Sequence, residues 1–98
     1  MKVSVQSVNF NIDLELIKYI EKKVNNLEKF NDNIVDAEVF LKVEKSSVKE
    51  NKIAELKVRL PGNDLLVKKQ SKKFEEGISL AVDAIKRQLL KRKEKLRA

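Results

Sequence analysis

The ten residues Val35-Asp36-Ala37-Glu38-Val39-Phe40-Leu41-Lys42-Val43-Glu44 set a small or aliphatic side chain at every second position, with mostly charged residues between. Successive side chains of a strand point to opposite faces, so this stretch reads as a strand with one covered and one wet face. Ala54, Leu56, Val58 and Leu60 repeat the alternation against Glu55, Lys57 and Arg59, and the two runs read as a hairpin. The link Ser46-Ser47-Val48-Lys49-Glu50-Asn51 has no period and is expected to be mobile. Phe40 falls on the polar side of its strand. Cross-strand packing on a partly covered face explains it more simply than contact with a base or a protein partner.

Toward the C-terminus, Leu60-Pro61-Gly62-Asn63 has the Pro-then-Gly order of a type II turn, which launches a fourth strand near Leu65 to Gln70. Phe74, Ile78, Val82, Ile85, Leu89 and Leu96 then fall within an arc of roughly 80° on a helix, with Ser71 as its expected cap. Toward the N-terminus, Met1, Val3 and Val5 alternate with Lys2, Ser4 and Gln6, as in a strand. Asp13 is the expected cap of a first helix of about four or five turns, which carries Leu16, Ile20, Val24 and Leu27 on one stripe and ends at Asn31-Asp32-Asn33. The order is βαβββα, an α+β fold with a four-stranded sheet. Both amphipathic helices need the same sheet face and are expected side by side on it, antiparallel or splayed. With 98 residues, 42% apolar and 38% charged, the chain supports one modest core and reads as a single domain, 1–98.

The charge is unevenly placed. Lys86, Arg87, Lys91, Arg92, Lys93, Lys95 and Arg97 face one acid, Glu94, so the last thirteen residues carry +6 of a net +7. On the second helix these bases form a wide arc away from the apolar stripe, and on the first Lys18, Lys22 and Lys29 share a stripe with Lys23 beside it. Glu15, Glu21 and Glu28 dilute that face. Two such helices on one sheet face make a groove-sized positive patch that suits the phosphates of folded RNA. A solvated charge run that complements the helix dipole is the plain alternative. A membrane surface fits less well, because the sheet needs the apolar residues of the second helix and no exposed Trp or Phe accompanies the bases.

Catalysis lacks parts. There is no histidine, no cysteine and no glycine-rich phosphate loop, since only Gly62 and Gly77 occur. The pairs Asp36/Glu38 and Glu75/Glu76 read as solvated carboxylates rather than a metal or acid/base site. No metal, cofactor or small-molecule substrate is expected. The five aromatics are too dispersed for a base-stacking platform. The alternating N-terminus is unlike a signal peptide and no stretch approaches a membrane span, so a cytoplasmic location is expected.

Four pieces in order carry a resemblance: Tyr19-Ile20-Glu21-Lys22-Lys23, Leu27-Glu28-Lys29-Phe30, Val39-Phe40-Leu41-Lys42-Val43-Glu44-Lys45 and Arg87-Gln88-Leu89-Leu90-Lys91-Arg92-Lys93-Glu94-Lys95-Leu96. Together they resemble the bacterial ribosome hibernation-promoting factor family, also called ribosome-associated inhibitor or sigma-54 modulation proteins. The resemblance implies a βαβββα fold similar to a double-stranded-RNA-binding domain. It also implies binding to the small ribosomal subunit and its rRNA between head and body, where messenger and transfer RNA would be excluded. The family's RNA contacts map onto Lys22, Lys23, Lys29, Lys86, Arg87, Lys91, Lys93 and Lys95. The chain departs from the family pattern at Ile17 and Asn26, where basic residues are common, and at Lys73-Phe74-Glu75, where the second helix often opens with Asp. It is similar to the short form, without the C-terminal dimerisation domain, which implies a free monomer. The alternative is an interaction module whose basic helix docks an acidic partner, such as a transcription regulator.

Overall fold

The computed structural model describes residues 1–8, 10–44 and 51–97, with the side chains of the last helix described through Lys91. Its elements are β1 (Lys2–Val8), α1 (Leu14–Asn25), a 3-10 turn (Asn26–Lys29), β2 (Asp36–Val43), β3 (Lys52–Leu60), β4 (Asn63–Ser71) and α2 (Phe74–Arg97). The expected βαβββα order is observed. Of the expected mobile link, only Asn51 lies within the described residues.

The four strands form one sheet in the order β1-β2-β3-β4. β1 pairs parallel with β2, and the other two pairings are antiparallel. Parallel neighbours need a crossover, and α1 supplies it. Val5, Val39, Leu56 and Val67 stand in one row across the sheet, beneath the helices. Ile20, Val24 and Leu27 enter from α1 and its 3-10 turn, while Ile78, Ala81, Ile85 and Leu89 enter from α2, all buried in one core with Val39, Leu56 and Val67, and the partly buried Val5 packs against it. α1 lies over β1, α2 lies over β3 and β4, and the two helices touch each other.

Local chemistry sets the element ends. The Asp13 carboxylate accepts from the Leu16 N–H at 2.7 Å, an N-cap that satisfies an otherwise unpaired donor. The α-helical part of the first helix is shorter than expected. Asn25 and Asn26 are poor helix formers, and the chain tightens there into the 3-10 turn that still delivers Leu27 to the core. Asn31 Oδ1 then accepts from the Asn33 N–H at 2.8 Å and reverses the chain. At the β3–β4 hairpin Pro61 holds the first turn position and Gly62 takes φ 78°, the type II geometry.

Two expectations fail. Val35, read as inward, is 55% exposed because it precedes the first ladder pair, Asp36 with Arg59, and Ile34 enters the core instead. Ser71 does not cap α2. It is the last residue of β4, buried, and its hydroxyl donates to the Lys73 carbonyl at 2.6 Å rather than accepting from the helix.

That hydroxyl also sets how closely α2 approaches the sheet. A Cβ on Gly77 would stand 2.9 Å from Ser71 Oγ and 3.3 Å from Ala54 Cβ. Alanine normally stabilises a helix interior over glycine by about 1 kcal/mol. Here the clash reverses the sign, and Gly77→Ala is expected to lower unfolding free energy by roughly 1–2 kcal/mol in a urea titration. Adding Ser71→Ala should recover part of the loss.

Among the described residues no helix covers the outer sheet face. Arg59 donates from Nε to Asp36 Oδ1 at 2.6 Å and from a second guanidinium nitrogen to Oδ2, so this hydrogen-bonded fork holds the Asp36 carboxyl below its usual pKa. Asp36 is thus an ion-pair partner on a wet face. Phe40 lies half-exposed there between Gln6 and Glu55.

Candidate nucleic-acid interface

The direction of the helices decides where the bases gather. β1, β2 and β4 run one way and β3 the other, so α1 after β1 and α2 after β4 both return against β1. Side-chain contacts fix the alignment. The Tyr19 hydroxyl donates to the Glu75 carbonyl at 3.4 Å, and Lys86 Nζ lies 4.8 Å from the centre of the Phe30 ring. An advance of eleven residues along the first chain segment matches eleven along the second. The helices therefore run in the same direction, not antiparallel as one of the two expected arrangements had it.

Parallel packing sorts the charges. Asp13 and Glu15 stand at the start of α1 and Glu75 and Glu76 at the start of α2, where acids complement the helix dipoles. Lys22 and Lys23 close α1 about one turn beyond the level of Glu75, and Lys29, Lys86, Arg87 and Lys91 follow toward the other end. α2 stays docked through the buried Leu89 and continues to Arg97, an overhang of about 12 Å at 1.5 Å per residue. It contributes to a long axis of 47 Å.

Six of the eight residues named from the sequence have described side chains. Lys22, Lys29, Arg87 and Lys91 are exposed, whereas Lys23 and Lys86 are half-buried. Both half-buried lysines lie over aromatic rings: Lys23 Nζ is 5.8 Å from the Tyr19 centroid, and Lys86 sits over Phe30. Lys93 and Lys95 lie on the helical backbone of α2, but outside the residues whose side chains are described. Among the acids that dilute this surface, Glu28 accepts from the Met1 amino group. Arg87 Nε bonds at 3.4 Å to the Asp83 carbonyl one turn back.

Sequence reasoning missed the aromatic supports. Tyr19 and Lys23 have the i, i+4 spacing of facing helical residues, so that pair carried a signal. The pair of Phe30 and Lys86 carried none, being far apart in sequence.

At the acidic end, Phe10 and Phe74 stack at 4.9 Å with 9° between their planes, and they line a cleft with Tyr19, Asp13, Glu15 and Glu75. Carboxylates on that rim would repel phosphate there. Among the described residues no group of three or more acids, histidines or cysteines could hold a metal, and no helix is long and apolar enough to cross a membrane.

Residues 3–97 match the family described as sigma 54 modulation protein / S30EA ribosomal protein. The chain belongs to that family. It is 28% identical over 95 residues to the ribosome hibernation promoting factor of Azotobacter vinelandii, covering 97% of this chain and 85% of that protein. It is also 28% identical over 98 residues to the ribosome hibernation promotion factor of Bacillus subtilis, of which it spans half the length. The fold matches a ribosomal subunit interface protein from Coxiella burnetii, with a TM-score of 0.83 at 22% identity over 96% of this chain and 99% of that one. It also matches the Thermus thermophilus Protein Y N-terminal domain, with a TM-score of 0.78 at 27% identity over 91% and 96% of the two chains. These family relatives are named for ribosome hibernation, not for docking on an acidic regulator.

Proposed function

We propose that this chain silences idle ribosomes as one domain, residues 1–98, by seating the basic end of its helix layer on rRNA of the small subunit. It acts there by occlusion. Bound in the channel between head and body, it excludes messenger RNA and transfer RNA without breaking or forming a covalent bond. The proposal takes the protein to be a cytoplasmic monomer that needs no cofactor.

One observation carries the reading. Parallel helices bring Lys29, Lys86, Arg87 and Lys91 toward one end, with Lys22 and Lys23 on the way to it, while the acids of both helix starts lie toward the other. Lys93 and Lys95 continue the basic run along the overhang. Membership of a family whose named members are hibernation factors supports a ribosomal partner for this polarity.

The test is co-sedimentation with bare small subunits across a salt series. Each neutralised phosphate contributes roughly −0.7 to −0.9 to the slope of log affinity against log salt. Six such contacts predict a slope of about −4.2 to −5.4, so affinity falls by roughly 300- to 1,800-fold between about 50 and 200 mM salt. A slope near zero, or preferential binding to the large subunit, would overturn the proposal.

A further inference from the structure

Lysine is a long, flexible cation, and fixing it on a phosphate sacrifices rotamer freedom. A side chain already ordered in the free protein sacrifices less. Lys86 meets this condition, with its ammonium over a ring face at 4.8 Å, well inside the range of cation–π attraction.

The ring itself is anchored. Phe30 ends the 3-10 turn, its N–H donates to the Leu27 carbonyl at 3.0 Å, and its side chain packs partly buried against the core. Its chain neighbour is Lys29, exposed on the same turn, and the neighbour of Lys86 is Arg87, exposed on α2. The contact between Phe30 and Lys86 therefore ties the basic end of the first helix to the basic arm of the second. Tyr19 under Lys23 acts within one helix at 5.8 Å and makes no such bridge between bases.

We infer that Phe30 is a positioning residue for the RNA-binding surface, holding Lys86 in its binding geometry and setting its spacing from Lys29. The inference rests on the proposed RNA-binding role of the basic end. With Lys86 on its face, that side of the Phe30 ring is closed to a stacked base, so the ring acts through the lysine.

A double-mutant cycle tests it. Phe30→Leu keeps an apolar side chain and removes the π face; Lys86→Gln keeps the stem and removes the charge. Phe30→Leu should weaken small-subunit binding roughly two- to fivefold. The loss should vanish when Lys86 is already glutamine, and Phe30→Tyr should bind as the parent does. In the free protein the Lys86 ε-methylene protons should show an upfield ring-current shift that Phe30→Leu abolishes, which a merely structural loss would not predict. Additive losses, unchanged affinity in Phe30→Leu, or an unshifted ε-methylene would each overturn the inference. The double reversal Arg87→Glu/Lys91→Glu separates the two levels. If that variant loses binding while the cycle is additive, only the role of Phe30 fails. If it binds as the parent does, the RNA-binding surface fails and the role of Phe30 falls with it.

Discussion

Arg87→Glu together with Lys91→Glu is expected to weaken binding to bare small subunits by roughly 100- to 10,000-fold in low salt. A hydrogen bond to a charged group contributes about 1.5–3 kcal/mol, two are removed, and each factor of ten corresponds to about 1.4 kcal/mol. Repulsion of phosphate by the new carboxylates adds to the loss. The fold should survive, since both side chains are exposed on α2. The informative control places the same charge change elsewhere. Lys42 and Lys68 are exposed on the outer sheet face, away from the helices, and Lys42→Glu/Lys68→Glu should leave most of the affinity in place. Equal losses in the two double variants would mean that net charge governs binding and that no localised surface exists.

Ile78→Ala is expected to lower unfolding free energy by roughly 2–5 kcal/mol, the usual range when a buried isoleucine leaves a cavity. Ile78 is fully buried in the shared core and sits one residue past Gly77, where α2 comes closest to the sheet. A domain of this size is stable by only about 5–15 kcal/mol, so the loss is a large fraction of the total. The thermal midpoint should fall by roughly 10–30 °C. Leu66→Ala provides the contrast, because Leu66 is 59% exposed on the outer face and its removal should change stability by less than about 0.5 kcal/mol. A loss at Ile78 below about 1 kcal/mol would contradict the described seating of α2. Subunit binding should decline with it, because the basic arm keeps its place only while α2 is docked.

Much of the fold was legible because its strands alternate cleanly. The inward faces of Val39 and Leu56 follow from period two, and the α2 stripe of Ile78, Ile85 and Leu89 follows from helical spacing. Ends were harder to see. Val35 continues the alternation of β2 in sequence, but pairing begins only at Asp36, and that boundary depends on Arg59 in another strand. Ser71 has the composition of a cap, yet the strand it belongs to runs one residue further than the pattern implied, and its hydroxyl turns to a carbonyl. The relative direction of the helices was not legible at all. It follows from β1 pairing parallel with β2, and periodicity within a segment carries no information about which strand becomes its neighbour. The basic residues could thus be named one by one, whereas their gathering at one end and the aromatic support of Lys86 are products of topology.

Because parallel packing sets acidic side chains at both helix starts and basic ones toward their ends, the molecule carries a side-chain dipole, partly opposed by the helix macrodipoles, and is not only a cation. Near a polyanion it experiences a torque as well as an attraction, so productive collisions should be led by the protruding tip of α2 with the carboxylate pole trailing. That pre-alignment operates over about 8 Å at physiological ionic strength and should raise the association rate more than it slows dissociation.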